Sequence, residues 1–215
     1  MSGYTRVMQR GTAGLRLMVF DRTCRDAPVG LSRAWSMGGR LYRQLGRLDG
    51  FLGASSWQEA LQWLVSFEAG RPLQQIQFWG HGKWGCALID RQPLDRSCLA
   101  ASQPLRPLLD RITPRLAGPD ALLWFRTCET LGAVAGQDFA CALTDRIGCR
   151  VAGHTHIIGF YQSGLHSLAP GEQPTWPADE GLRRGTPAAP GEALASRPWA
   201  PNTITCLTGR IPEGF

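Results

Sequence analysis

Hydrophobic and polar positions follow two periods along this chain. Residues 15–21, LRLMVFD, are a short apolar run closed by an acid and predict a buried strand. Residues 31–48 set Ala34, Met37, Leu41, Leu45 and Leu48 three and four apart. That spacing predicts a helix with those side chains inward and Arg33, Arg40, Arg43 and Arg47 on its outer side. Gly38-Gly39 weakens it, because an interior Gly costs about 1 kcal/mol. A short strand at 50–54 precedes Ser56 and Glu59, spaced as a capping box. A second helix with Trp57, Leu61, Leu64 and Val65 on one face follows, ended by Gly70 and Pro72.

Residues 73–80, LQQIQFWG, predict a strand, 84–94 a short hairpin, and 98–116 a Pro-interrupted helix around Leu105, Leu108, Leu109 and Ile112. Residues 121–127, ALLWFRT, are nearly continuous in apolar side chains, as expected of a central parallel strand covered on both faces. A helix over 136–147 carries Phe139, Leu143 and Ile147 and closes at Gly148; segments 149–152 and 154–158 predict another strand. Strands alternating with helices predict an α/β, three-layer α-β-α sandwich with a mostly parallel central sheet and right-handed crossovers. Residues 1–168 form that domain. Residues 169–215 are different, with seven Pro between Pro170 and Pro201. Trp176 and Trp199 predict that this segment packs on the same domain, with a last strand near 203–207.

Composition narrows the picture. At 215 residues, 43% hydrophobic and 19% charged, the chain suits one folded domain and not a disordered one. No apolar stretch reaches 18 residues and the N-terminus lacks an apolar leader, so a cytoplasmic location with no membrane partner is expected. The net charge is +6, and the basic residues are 22 Arg and Lys83. Nine Arg fall within residues 1–47 against Asp21 and Asp26. This excess is read as compositional, and no nucleic-acid partner is expected. Seven Cys without a CxxC pair predict reduced thiols, and argue against a disulfide framework or a zinc ribbon.

Ligands of an open parallel sheet bind beyond the carboxyl ends of its strands. There the sequence sets Asp21, His81, Cys128, and His154 or His156. A free thiol titrates near 8.5, so it needs a base to become a nucleophile at neutral pH; an imidazole on an adjoining strand tip supplies one. Gly82, without a side chain, lets its N–H approach a substrate carbonyl, and with the N–H of Cys128 could hold an oxyanion.

The order strand-His81-Gly82, excursion, helix, strand-Cys128 resembles the clan CD cysteine peptidases, which include caspases, metacaspases, gingipains, separases and CHAT domains. His81 precedes Cys128 by 47 residues, close to the caspase separation of about 50. The stretch LLWFRTCETLGAVAGQDFACALTDRIGCRVAGHT is similar to a bacterial branch of the clan, and the likeness spans roughly residues 15–160. It implies a caspase-like fold and a cysteine endopeptidase acting on protein or peptide substrates without a cofactor. Cys128 would be the nucleophile, His81 the general base and acid, and Gly82 an oxyanion donor. The chain departs from the family: Arg126-Thr127-Cys128-Glu129-Thr130 replaces Q-A-C-[RQG]-G, and the metacaspase acid two before the Cys is absent.

Strand alternation sets Arg126 on the same side as Cys128. In the resembled families that position lines the pocket for the residue before the cleaved bond, so Arg126 implies an acidic preference. Asp21 or Glu129 could instead support a basic one, or simply pair with Arg126. His154 is a further candidate for the substrate cleft. Two alternatives stay open. One is a catalytically inactive caspase-like module that binds a regulatory protein. The other is a zinc hydrolase using His154, His156, His81 and Cys128. Cys141 and Cys149 read as core thiols and Cys24 as a loop thiol near the site edge. Gly80-His81-Gly82 lacks the third Gly of a nucleotide fingerprint.

Overall fold

A computed structural model describes residues 14–24 and 30–214. Its strands are β1 (Leu15–Asp21), β2 (Gly50–Ala54), β3 (Leu73–Trp79), β4 (His81–Lys83), β5 (Cys86–Ile89), β6 (Gln92–Asp95), β7 (Leu122–Arg126), β8 (Arg150–His154), β9 (Tyr161–Gln162), β10 (Leu165–Leu168), β11 (Leu182–Thr186), β12 (Ala189–Ala193) and β13 (Ile204–Thr205). Its helices are α1 (Leu31–Gln44), α2 (Trp57–Ser66), α3 (Arg106–Ile112) and α4 (Ala133–Ile147). The protein is a mixed α/β structure around a six-stranded sheet of order β10-β8-β7-β3-β1-β2. All its pairings are parallel except β10 on β8. β4, β5 and β6 form a small antiparallel sheet directly after β3, and β11–β12 a separate hairpin. No helix among the described residues is long and apolar enough to cross a membrane.

Alternation divides the sheet into two faces. Leu17 and Val19 of β1, Ile76 and Phe78 of β3, Phe125 of β7 and Val151 of β8 share one apolar core with Leu61 and Leu64 of α2, Leu109 of α3 and Phe139 and Leu143 of α4. Residues of opposite parity face α1 and the C-terminal segment. There Met18, Phe20, Trp79, Tyr42 and Leu48 form one cluster, and Trp124, Ala152, Leu165 and Ile204 another. The cap of α2 forms through Ser56, whose Oγ accepts from the Glu59 N–H at 3.1 Å. The Glu59 carboxylate reaches one residue further back than a capping box requires, accepting from Ser55 N–H and hydroxyl at 2.8 and 2.7 Å.

The element limits in the sequence differ from the observed ones in instructive ways. α1 exists, but its inward face is not the expected one. Met37 and Leu45 are 66% and 54% exposed, whereas Gly39 and Tyr42 are buried. The glycines supply close approach: a Cβ on Gly38 would lie 3.0 Å from the Trp79 ring, and one on Gly39 3.1 Å from Phe51. The helix expected over 98–116 is shortened to α3 between two 3-10 turns, at Arg96–Leu99 and Thr113–Arg115. The hairpin expected at 84–94 gains β4 as a third strand, and 154–158 is not strand beyond His154. Within the Pro-rich segment Trp176 is buried, donates its indole N–H to Leu131 O at 3.0 Å, and stacks on His166. Trp199, expected to share that role, is 77% exposed.

Candidate active site at the carboxyl edge of the sheet

The chain passes from β1 outward to β2, then returns past β1 to β3, so the sheet order reverses between β1 and β3. A crevice at such a reversal is where α/β sheets bind ligands. At this reversal a thiol and an imidazole meet. Cys24, just after β1, sets Sγ 3.1 Å from Nε2 of the exposed His81, just after β3. The Trp35 ring of α1 packs edge-on against His81, with centroids 6.0 Å apart.

Cys128 follows β7 on a turn under backbone strain. Glu129 has φ of 45° and Ala133 φ of 60°, a left-handed conformation that costs a non-Gly residue on the order of 1–3 kcal/mol and persists where surrounding contacts impose it. Here the contacts are the Glu129 N–H to His156 O at 2.9 Å and the Leu131 N–H to His154 O at 3.0 Å, which pin the turn to the end of β8. Cys128 Sγ accepts from the Ile158 N–H at 3.4 Å. Burial raises its thiol pKa, the Ile158 N–H opposes the rise, and Glu129 adds to it.

Gly82 runs directly against this turn. A Cβ there would meet Thr130 Oγ1 at 2.2 Å, Cys128 O at 2.6 Å and Thr127 Cβ at 2.8 Å, so only glycine fits. The main chain after His81 and the main chain of Cys128 therefore touch. Among the described residues no hydrogen bond joins Cys128 Sγ to His81: the first accepts from the Ile158 N–H and the second meets Cys24. A cleft of about 430 Å³ is lined by their chain neighbours Lys83, Glu129 and Ile157 on one side and by Arg183 and Glu192 of the β11–β12 hairpin on the other, but by neither His81 nor Cys128. Burial raises the Glu129 carboxyl, with Lys83 opposing.

Arg126, the last residue of β7, is not open to solvent. It is 3% exposed, lies between the Trp79 and Trp124 rings at 4.7 and 4.4 Å, and pairs with neither Asp21 nor Glu129. Its donors go to Gln162 Oε1 at 2.7 and 3.0 Å, Tyr42 Oη at 3.0 Å, and the carbonyls of Thr205, Cys206 and Thr208 at 3.2, 3.1 and 2.8 Å. Burial of the charge lowers its pKa. Residues 205–208 thus form a strap over the guanidinium. Asp21 is buried and acts as a turn cap, accepting from Thr23 N–H and hydroxyl at 2.8 and 2.7 Å and from the Asp90 N–H at 3.3 Å.

His154 does not line a surface cleft. It is fully buried, its pKa pushed down to about 3 by desolvation first and the Arg126 charge second. Its Nδ1–H donates to Ser163 O at 3.2 Å, which leaves Nε2 as an acceptor with no partner among the described residues. His156 instead faces Thr155 Oγ1 at 2.9 Å. Among the described residues no group of three or more His, Cys, Asp or Glu is arranged to hold a metal ion, so the zinc constellation is not assembled. Among the described residues no disulfide joins any of the seven cysteines.

Two parts of the site lay beyond sequence reasoning. The Cys24–His81 contact depends on β1 and β3 being neighbours, which periodicity does not encode. The β11–β12 wall comes from LRRGT and APGEA, whose polar, Gly- and Pro-bearing sequences carry no strand pattern. Comparison with protein-family models and with curated proteins finds no match for this chain.

Proposed function

We propose that the protein is a cysteine-type endopeptidase of caspase-like character, with Cys128 as nucleophile and His81 as its proton acceptor. The observation that carries the reading is the fit of Gly82 against the Cys128 main chain at the carboxyl edge of a parallel sheet, beside a cleft of about 430 Å³. In the reaction, Sγ would attack the peptide carbonyl carbon while its proton passes to His81. Collapse of the tetrahedral adduct would expel the amine, which takes the proton from His81, and water would release the acyl group. Gly82 and Cys128 N–H groups would hold the oxyanion. His81 must exchange its Cys24 contact for Cys128, so the described arrangement is a resting one. An acidic substrate side chain would reach Arg126 only by displacing the strap carbonyls.

A second reading has an observation of its own. Cys24 is the thiol in contact with His81, and it sits at the crevice where the sheet order reverses. In this reading Cys24 is the nucleophile and Cys128 is structural. The two separate in one experiment. Turnover of peptide libraries and site-resolved iodoacetamide labelling are compared for the wild type, Cys128→Ala and Cys24→Ala. The leading reading expects activity to fall at least 1000-fold in Cys128→Ala and less than tenfold in Cys24→Ala. The reverse pattern establishes Cys24. No turnover by the wild type, with Cys128 unlabelled at pH 7, rejects catalysis in favour of an interaction module.

A further inference from the structure

A second cleft, of about 440 Å³, lies at the opposite end of the strands from His81 and Cys128. Arg16 near the start of β1, Arg47 after α1 and Arg210 beyond the strap converge on it from three separate parts of the chain. Among the described residues no carboxylate lines it; Asp49 pairs with Arg16, accepting from its main-chain N–H at 2.8 Å and from its Nε at 3.3 Å. Arg47 spends Nη1 on the Leu207 carbonyl at 2.6 Å, and neither Arg47 nor Arg210 forms an ion pair among the described residues. Three like charges with one counter-charge repel one another, and an anion between them removes that repulsion.

An independent observation points the same way. Gln75 of β3 lines the cleft, is 7% exposed, and its Nε2 has no hydrogen-bond partner among the described residues. That nitrogen is itself closed to solvent, so it meets a ligand only once the amide turns toward the cleft. Leu45, half exposed, supplies an apolar wall.

We propose that this cleft binds a small phosphate-bearing molecule, its phosphate held by Arg47 and Arg210 and its organic part against Leu45. Guanidinium forks match phosphate oxygens in pairs, and the volume lies in the range of small-ligand pockets, about 300–1,000 Å³. A concave, walled cleft suits a compact anion better than an extended polyanion, which needs an open stripe of charge. The site would also steady the strap, because Arg47 holds Leu207 O and Thr208 lines the same cleft.

The test uses the full chain at constant ionic strength. Thermal melting and calorimetry are run with inorganic phosphate, pyrophosphate, phenyl phosphate, and chloride as control, on the wild type, Arg210→Gln and Arg47→Gln, with a single-stranded 20-mer DNA in a parallel arm. Saturable binding of phenyl phosphate, at least tenfold tighter than inorganic phosphate and weakened at least tenfold in Arg210→Gln, is the expected result. Equal responses to phosphate and chloride overturn the proposal, as does binding indifferent to the exposed Arg210 in a variant that melts like the wild type. Tighter binding of the DNA with the same Arg dependence overturns it in favour of a polyanion surface. Cys128→Ala should bind phenyl phosphate unchanged, so the outcome stands apart from the peptidase reading.

Discussion

The two faces of the central sheet use alternate residues of the same strands and are finished by different means. One is dry. Val19, Phe78, Phe125 and Val151 meet α2, α3 and α4 with hydrocarbon against hydrocarbon. The other carries Gln75, Gln77, Arg126 and His154 at positions that are just as buried, with the strap and β9 supplying polar cover. Among the described residues, four of the seven buried side-chain nitrogens and oxygens without partners, in Gln75, Gln77, Trp124 and His154, lie on this polar face. An unmatched buried polar group costs about 1–3 kcal/mol. The dry face therefore supplies stability, and the polar face holds the interactions a ligand or a segment movement can alter.

The largest effect expected from this contrast is on Phe125 and Arg126, neighbours facing opposite ways. Phe125→Ala should cost about 3–5 kcal/mol and lower the melting temperature cooperatively, leaving a cavity among Phe78, Phe139 and their neighbours. Arg126→Leu should cost a similar amount by stranding the Gln162 oxygen and three strap carbonyls. Its signature differs: limited proteolysis should open the chain first near 205–208, whereas Phe125→Ala should show no preferred first cut. Identical cleavage patterns would mean that the faces are not separable.

A smaller effect concerns acid. His154 titrates near 3 when folded and near 6.5 when unfolded. Between those values the unfolded chain binds a proton that the folded chain does not. Stability is fully kept above about 6.5 and falls on acidification toward 3, with a slope of up to about 1.4 kcal/mol per pH unit. His154→Asn, whose amide can replace the Nδ1–H to Ser163 O, should flatten the slope of denaturation free energy against pH by up to one proton. An unchanged slope would assign the acid sensitivity elsewhere.

The smallest effects fall on α1. Gly39→Ala sets a methyl 3.1 Å from Phe51 and should cost about 1–3 kcal/mol despite the helix-forming gain. Met37→Gln, at an exposed position, should stay within about 0.5 kcal/mol. Urea denaturation midpoints would rank the two, and a reversed order would restore the inward face that the periodicity suggested.

That helix shows where the sequence was legible and where it was not. The dry face could be read because it is held by side-chain size and apolarity, which leave a pattern: LLWF in β7 and Phe139, Leu143 and Ile147 in α4 sit where their spacing puts them. α1 misled because close approach through Gly38 and Gly39 leaves no apolar signature, while Met37, Leu41 and Leu45 keep the period and face solvent. His81 and Cys128 reach the same sheet edge by strand length alone, but which thiol meets the imidazole depends on strand order. The strap could not be read because it binds Arg126 through carbonyl oxygens, which every residue type possesses.

The strap also has a bearing on synthesis. β1, β3, β7 and β8 all leave the ribosome before residues 205–208 are made. Until then the Arg126 guanidinium has only Gln162 and Tyr42 to satisfy it, and water must serve its remaining donors. Closure of the strap therefore replaces that water with backbone carbonyls, so the last residues to be made complete the burial of a charge set by those four strands.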